Sequence, residues 1–540
     1  MKLLERTSKI VQTPFFYICF LLLIIVIAYG TTSPFQGFYW DDWEELYFSN
    51  FSDFQAYKDY FSYDRPFSAV FYYTFINILR RNPFHWQIFS LVLRWVGIFF
   101  LFRTLVSIWP ELKFGLYTSA LLLAIYPGFQ QQPLAATYSK HFFALALFSI
   151  SLFLMLLSIK NQKYAFPLRL LSLTFALIHP FILEYFLALE LIRPFLIYFF
   201  LKRQQSNLSK KQFVVKTIKI WLQYIVILVI FIILRFYFLL NYSTVPISNE
   251  PVALNNFLES PLQTIHSFLE VMLNDFYFMS STIWLNSIFS PINLFEISKT
   301  NLVSSFLGLI TSLIFYFWAD LNNNSSQKRY KQIIGIGFLV FLFGGIPIWI
   351  IGRQVSVGKW SDRFALAPMI GIVLLEVFFL IAHIKRKKII NLILAILIGL
   401  CISFQFKVSL DYSNQWKYHR TFFWHIYWRT PRLKKNTPLI SQSMPIGYTS
   451  RYSIAIAMSM IYRDDFDDQK LDYYFINFPK DYSSLDRSST FQENLRSIEF
   501  SSDSTNSVGF VYLPSVGCLR VADAIYKDAA VRPFGSFPIV

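Results

Sequence analysis

The sequence has 540 residues, of which 55% are hydrophobic and only 15% are charged. This balance excludes an ordinary soluble globular protein, in which about a quarter of the residues are charged, and is typical of a polytopic membrane protein. The formal net charge of +17 comes from lysines and arginines in short clusters between apolar segments. That distribution is typical of cytoplasmic loops and argues against nucleic acid as a partner.

The apolar segments predict about eleven transmembrane helices, because each approaches the roughly 20 residues that a bilayer crossing needs. Basic clusters fall in alternate loops, which places the N-terminus in the cytoplasm. The predicted spans are 14–30, 86–106, 114–127, 140–159, 166–178, 181–200, 220–240, 303–319, 333–351, 364–383 and 389–406. We therefore expect an all-α integral membrane module over residues 1–406, with outer loops at 31–85 and 241–302, in a bacterial plasma membrane.

The composition becomes polar after residue 406. Short β-type runs such as 508–513 stand among turn residues, so we expect residues 407–540 to form a small α/β domain outside the cytoplasm. The acidic cluster at 464–468 lacks the glycine and terminal glutamate of a calcium loop and indicates a solvated loop. No phosphate-binding loop or dinucleotide-binding turn occurs, which argues against a nucleotide-driven transporter.

An acidic pair, Asp41-Asp42, lies just beyond the first predicted span, among aromatic residues. A carboxylate at the membrane surface can deprotonate a hydroxyl or amine, and a neighbouring carboxylate can raise its pKa or position the acceptor. The alternative is the acidic first turn of a solvated interfacial helix. Residue type and position together favour a catalytic role.

A second motif in the same loop is Asp64-Arg65-Pro66, which opens the short apolar segment 66–79. Proline is favoured at the first position of a helix, and the segment predicts a helix lying in the membrane interface. Arg65 would offer two parallel donors to a phosphate, and Asp64 could bind sugar hydroxyls. The alternative is a helix entrance with Asp64 as its N-cap.

Basic residues also occur at the outer end of a predicted span and in a predicted outer loop, and those in the loop run against the usual inside bias of positive charge. They are Lys140, His141, Arg353, Lys359 and Arg363. Binding of an anionic lipid phosphate would explain them, because arginine matches phosphate geometry. The alternatives are snorkelling of Lys140 and His141, and pairing of Arg363 with Asp362 or with lipid head groups.

Ionisable residues inside the predicted spans indicate one structural pair. Glu190 and Arg193 are three positions apart, a spacing that brings side chains together on a helix. Charged groups within a membrane usually pair with each other.

The order of these features resembles the membrane glycosyltransferases of the GT-C fold, which include protein O-mannosyltransferases and bacterial aminoarabinose transferases. The first loop of this chain resembles the first loop of that family. It contains, in the same order, the acidic pair, Arg65-Pro66-Phe67 and Asn82-Pro83-Phe84-His85-Trp86. Arg363 with the following residues 364–368 resembles the entry to a late span of those enzymes. The likeness covers residues 30–160 and 350–385.

The resemblance implies a sugar donor carried on a polyprenyl phosphate and transfer at the outer face of the membrane. It implies one residue of the acidic pair as the general base, Asp41 in preference to Asp42, with the other as its partner, and Arg363 as the residue that binds the donor phosphate. The acceptor would be a lipid, a glycan or a protein. The second outer loop, 127–139, has no acidic residue, so a divalent metal is unsupported and no cofactor is predicted.

The sequence thus predicts an inverting glycosyltransferase with a lipid-linked donor. The alternative from another class is a transporter or flippase for a lipid-linked or anionic solute, with the carboxylates as ion sites. A third hypothesis is an enzyme-like scaffold whose C-terminal domain recruits an envelope partner.

Overall fold

A computed structural model describes most of the chain, and α-carbon contacts divide it into two compact units. Unit 1 comprises 1–32, 88–132 and 138–409, and unit 2 comprises 33–87, 133–137 and 410–540. The described residues are 14–51, 53–62, 65–204, 209–242, 259–289, 298–318, 327–358, 360–441, 443–463, 470–477, 490–503, 506–513 and 518–522. Asp64, Lys359 and the acidic cluster 464–468 lie outside them.

The described residues are mainly helical up to Arg429. The α-helices are α1 (Pro14–Ile25), α2 (Asp42–Tyr47), α3 (Phe54–Phe61), α4 (Pro66–Leu79), α5 (Pro83–Ile108), α6 (Lys113–Ala124), α7 (Ala135–Lys160), α8 (Ala165–Ile182), α9 (Arg193–Gln204), α10 (Lys210–Tyr242), α11 (Pro261–Tyr277), α12 (Ile283–Phe289), α13 (Lys299–Trp318), α14 (Gln327–Trp349), α15 (Pro368–His383) and α16 (Lys387–Arg429). As predicted, α4 begins at Pro66, which occupies its first turn.

Eight helical segments among the described residues are long and apolar enough to cross a membrane. They are Tyr17–Phe35, Pro83–Ile108, Ala135–Lys160, Gln162–Ile182, Lys210–Phe238, Lys299–Phe317, Lys328–Trp349 and Lys387–Arg429. Each coincides with one of the predicted spans. These segments indicate a multi-pass membrane protein.

Three other predicted spans are too short or too irregular, so the count of about eleven is not confirmed. Helix α6 has 12 residues and α15 has 16, or about 18 and 24 Å against a hydrocarbon core of about 30 Å. The predicted span 181–200 is divided between a 3-10 segment, Glu184–Ile192, and α9. All residues of α6 from Phe114 to Ala124 are buried, so burial within the protein also explains their apolar character.

The predicted last span, 389–406, is part of a much longer helix. Helix α16 has 43 residues, about 64 Å of helix, which is twice the thickness of the hydrocarbon core. It ends at Arg429, two residues before Pro431, since proline cannot continue a helix. The first part of the predicted tail, from residue 407 to Arg429, is therefore helical.

Unit 2 contains the small sheet that the sequence predicted for the C-terminal region. Its strands are β1 (Thr437–Ser441), β2 (Tyr473–Asn477), β3 (Thr490–Leu495), β4 (Ile498–Asp503), β5 (Val508–Leu513) and β6 (Cys518–Ala522). The four-stranded sheet has the order β2-β1-β5-β6, and β3 and β4 form a separate antiparallel pair. Helix α17 (Arg451–Tyr462) connects the parallel strands β1 and β2, as a crossover requires.

The segment after the first predicted span belongs to the same compact unit as the C-terminal segment. Loop 31–85 was predicted to be part of the membrane module, whereas α-carbon contacts group residues 33–87 with 410–540. Within unit 2, the Tyr47 hydroxyl donates to the Lys470 carbonyl at 3.1 Å, and the Ser453 hydroxyl donates to the Trp40 carbonyl at 2.9 Å. Such long-range bonds explain why a linear division of the sequence misses this grouping.

Candidate functional site

The acidic turn, Tyr39–Asp42, leads into α2 in unit 2. Its two aspartates, Asp41 and Asp42, differ in how deeply they are buried. Asp42 is the first residue of α2 and is fully buried, whereas Asp41, the residue before it, is half-buried. The Asp42 carboxylate accepts hydrogen bonds from the Thr137 backbone N–H and hydroxyl, both at 2.8 Å, and from the Tyr39 N–H at 3.2 Å. Asp42 therefore holds the turn in place, and Asp41 is the more accessible of the two carboxylates.

Burial controls the ionisation of Asp42. It raises the pKa of this carboxyl to about 7, and the hydrogen bonds from Thr137 and Tyr39 oppose the shift only in part. The nearby Asp41 adds a smaller rise in the Asp42 pKa. Asp42 thus takes up or releases its proton near neutral pH, as expected for a carboxyl removed from water.

The backbone of the acidic turn is strained at Trp40, which has a φ of 38°. Residues other than glycine rarely adopt positive φ, and such strain persists only where neighbours fix it. The Trp40 N–H donates to the Tyr448 carbonyl at 3.2 Å, and the two rings lie 4.9 Å apart. The Ser453 hydroxyl donates to the Trp40 carbonyl, so the C-terminal part of unit 2 holds this conformation.

Tyr39 and Gly37 fit closely against α16 within unit 2. Tyr39 is buried, and its hydroxyl donates to the Tyr412 carbonyl at 2.7 Å. A Cβ atom at Gly37 would lie 1.9 Å from the Trp416 ring. Only glycine fits at position 37, because every other residue would collide with that indole.

Glu44 is a second carboxyl of raised pKa in the same short helix. It is half-buried, and its Oε2 accepts a hydrogen bond from the Tyr60 hydroxyl at 2.5 Å. Burial, together with the charge of Asp41, raises the pKa of Glu44 to about 8. The Arg496 guanidinium lies 4.6 Å from the centre of the Tyr60 ring. No role was predicted for Glu44 from the sequence, although it lies two residues from the acidic pair.

Arg65 also lies in unit 2, immediately before α4. Its side chain is half-buried, and its backbone N–H donates to the Phe61 carbonyl at 2.9 Å. Asp64 is outside the described residues, so the two roles predicted for this motif remain predictions.

Lys140 and His141 lie near the start of α7, in unit 1. Both are buried, with 9% and 4% of their surface exposed. The His141 ring lies 4.7 Å from that of Tyr138 and 5.4 Å from that of Tyr185. A snorkelling lysine keeps its ammonium group in water, so the burial of Lys140 counts against that alternative.

The cationic turn, Trp360–Arg363, precedes α15 in unit 1. Asp362 is fully buried, and its Oδ2 accepts a hydrogen bond from the Gln130 N–H at 2.9 Å. Its Oδ1 is buried and accepts no hydrogen bond from a described residue. Burial raises the pKa of Asp362 to about 7, and the nearby Arg363 opposes part of that rise. Arg363 itself is half-buried, with its guanidinium 5.3 Å from the Phe364 ring centre.

Unit 1 brings several of the predicted phosphate-binding residues into one region. The Tyr185 ring lies 5.4 Å from His141 and 6.1 Å from Phe364, the neighbour of Arg363. The hydrogen bond from Gln130 to Asp362 joins the segment before α7 to the cationic turn. Lys140, His141 and Arg363 are therefore carried by segments that contact one another.

Arg353 is exposed, in the loop that follows α14. A buried aspartate of α11 fixes this loop: Asp275 accepts hydrogen bonds from the Trp349 indole at 2.8 Å and from the Val355 N–H at 3.2 Å. Burial raises the pKa of Asp275 to about 6. Lys359, the other predicted cation of this loop, is outside the described residues.

The predicted structural pair is confirmed. Arg193 donates to Glu190 through Nε and Nη2, and the His179 Nε2 lies 3.0 Å from the Glu190 Oε1. Arg193 also donates to the Ser151 hydroxyl at 3.0 Å. These buried side chains pair with one another, which indicates a structural role.

Comparison with protein-family models, curated proteins and solved structures gave no match. Among the described residues, no three His, Cys, Asp or Glu side chains form a group that could hold a metal ion. Function is therefore inferred from the side chains of this chain itself.

Proposed function

We propose that this chain is a membrane glycosyltransferase of the GT-C type, which moves a sugar from a polyprenyl phosphate to an acceptor at the outer face of the membrane. The observation that supports this proposal most is the difference in burial between Asp41 and Asp42. Asp42 is buried with three hydrogen bonds, and the adjacent Asp41 is more exposed. A fixed backbone that presents one carboxylate is what a general base needs.

Asp41 removes the proton from the acceptor's hydroxyl or amine. The acceptor atom then forms a bond to the anomeric carbon, and the bond from that carbon to the phosphate oxygen breaks. Attack from the side opposite the phosphate inverts the anomeric centre. Burial raises the pKa values of Asp42 and Glu44, so these two neighbours of Asp41 carry less negative charge near neutral pH.

The donor phosphate gains negative charge as it leaves, so cations that bind it lower the barrier. Arg363 is the proposed phosphate ligand, because a guanidinium can donate two parallel hydrogen bonds to phosphate oxygens. Lys140 and His141 support this role, since their segment contacts the cationic turn within unit 1. Arg65, Asp64, Arg353 and Lys359 remain further proposed donor contacts.

Native mass spectrometry of the purified protein tests this proposal. We expect a glycosylated polyprenyl phosphate on the wild type, at least tenfold less on Arg363→Ala, and wild-type amounts on Arg386→Ala. Arg386 is a suitable control because it is an exposed basic residue at the other end of α15. Detection of bulk phospholipid alone on all three proteins would contradict the proposal.

A transporter is the second candidate, and two observations favour it. Arg94 in α5 is fully buried, and its Nε and Nη2 make no hydrogen bond to a described residue. In α15, the Glu376 Oε1 accepts a hydrogen bond from the Trp284 indole, while its buried Oε2 has no such partner. Ionisable groups in apolar helices often mark ion or proton paths. Proton flux into liposomes that Glu376→Gln abolishes would favour transport over transfer.

A further inference from the structure

A cavity of about 380 Å³ lies in unit 1 where the apolar helices α5, α7 and α9 approach their C-terminal ends. Three basic side chains line it, one from each helix: Arg103, Lys160 and Arg203. None of them belongs to the proposed phosphate-binding residues of the sugar donor. The cavity volume is in the range of small-molecule sites, about 300–1,000 Å³.

The charge around this cavity is unbalanced. Arg203 donates to Glu111 at 2.7 Å, but Glu111 also pairs with Arg329, so one carboxylate serves two arginines. Arg103 and Lys160 form no ion pair with a described residue. An anionic ligand would compensate this excess of positive charge.

Apolar side chains also line the cavity. Phe153 and Leu157 of α7 and Phe200 of α9 line it, on the same helices as the basic residues. A ligand that fits has a negative group beside a hydrocarbon part. Basic pockets between membrane helices bind the head groups of anionic lipids in this way.

We propose that this cavity binds the phosphate head group of an anionic glycerophospholipid, with the start of an acyl chain against Phe153 and Leu157. Basic residues at helix C-termini also interact favourably with the helix dipole. That effect accounts for each basic residue separately. It does not explain why three of them line one cavity together with apolar side chains. The proposal depends on the membrane nature of the chain and is independent of the proposed sugar transfer.

Native mass spectrometry with added lipid tests the proposal. The detergent-purified full-length protein is titrated with dioleoylphosphatidylglycerol, and in parallel with the neutral lipid dioleoylphosphatidylcholine. The variants are Lys160→Gln, the double variant Arg103→Gln/Lys160→Gln, and the control Lys163→Gln. Lys163 is exposed, three residues beyond Lys160, and does not line the cavity.

We expect one tightly bound phosphatidylglycerol on the wild type and on Lys163→Gln. Affinity should fall about fivefold in Lys160→Gln and about 25-fold in the double variant, because each basic residue near a lipid head group adds a factor of about five. Binding of phosphatidylcholine should be weaker and equal in all four proteins. Lys160 is exposed, so its single variant should keep the wild-type unfolding temperature and remain interpretable.

Equal binding of phosphatidylglycerol by the wild type and the folded Lys160→Gln variant would overturn the proposal. Inorganic phosphate is a further probe, because a soluble phosphate compound shares the charge but not the acyl chain. Displacement of the lipid by millimolar inorganic phosphate would assign the cavity to a soluble anion and overturn the lipid assignment. Retention of the lipid in millimolar phosphate is the expected result.

Discussion

The acidic turn of unit 2 and the cationic turn of unit 1 each place a buried aspartate beside a more exposed charged residue. Asp42 lies next to Asp41, and Asp362 lies next to Arg363. In both turns a preceding tryptophan has positive φ, 38° at Trp40 and 62° at Trp360. In both, burial raises the pKa of the inner aspartate to about 7.

The two turns differ in how firmly the inner aspartate is held. Asp42 accepts three hydrogen bonds, two of them from Thr137, whereas Asp362 accepts one, from the Gln130 N–H, and interacts more weakly with the backbone N–H groups of Asp362 and Arg363. In each turn the inner aspartate fixes the backbone, and the charged residue beside it is the more exposed of the two. The acidic turn therefore has the more extensive hydrogen bonding, whereas in the cationic turn the Asp362 Oδ1 accepts no hydrogen bond of normal geometry from a described residue.

The largest expected effect is a change in the free energy of unfolding with pH. It tests the feature that the two turns share, an inner aspartate of raised pKa. The pKa of each inner aspartate is raised from 3.8 to about 7, so the folded state holds these protons more tightly than the unfolded state. This contribution to stability is complete below about pH 4 and is lost as the pH rises through 7. Relative to Asp42→Asn/Asp362→Asn, the wild type should lose a few kcal/mol of unfolding free energy between pH 4 and 8. Denaturant titrations in detergent at several pH values measure this difference. Parallel plots of unfolding free energy against pH for the wild type and the double variant would contradict the prediction.

The next effect, the destabilisation caused by Asp42→Asn, distinguishes the acidic turn from the cationic turn. At pH 5, Asp42→Asn should lower the free energy of unfolding by about 1–3 kcal/mol, because the new amide N–H group faces the Tyr39 N–H instead of accepting from it. The loss should shrink toward pH 8, where ionisation weakens the wild type. A denaturant titration at pH 5 that shows no loss would remove the anchoring role of Asp42.

A smaller effect is expected from the partner of Asp42. Thr137→Ala removes the hydroxyl donor and should cost about 1 kcal/mol at pH 5, whereas Thr137→Ser keeps that donor and should restore most of the loss. Unfolding titrations of the two variants check this prediction. If serine were as destabilising as alanine, the methyl group of Thr137 would be the important contact.

The smallest effect is expected in the cationic turn. Asp362→Asn should cost less than about 0.5 kcal/mol at pH 5, because the amide oxygen can still accept the single hydrogen bond from Gln130. The same titration measures it. A loss as large as that of Asp42→Asn would show that the two turns are held equally firmly.

Local signals in the sequence predicted much of the fold. Proline at a helix start predicted α4, a short β-type run among turn residues predicted β5, and the spacing of Glu190 and Arg193 predicted their pairing. The number of spans could not be predicted from apolar character alone, because the apolar run of α6 is explained by packing inside the protein.

The site was predicted less completely, for a reason of sequence distance. The acidic pair and Arg363 stood out as unusual charges near apolar segments. Their anchors did not, because Thr137 is 95 residues from Asp42 and Gln130 is 232 residues from Asp362. Neither a threonine nor a glutamine backbone carries a signal for such a contact in a single sequence.

The most direct test of the proposed transfer is the turnover of bound donor by Asp41→Asn. Protein carrying its co-purified lipid-linked sugar is incubated with a membrane extract as the source of acceptor, and release of free polyprenyl phosphate is followed by mass spectrometry. The control is Asp59→Asn, a carboxylate of α3 in the same unit. We predict that Asp41→Asn folds and keeps the donor but releases polyprenyl phosphate about 10²–10⁴-fold more slowly, while the control is normal. Release by Asp41→Asn at the wild-type rate would contradict the role of Asp41 as the base.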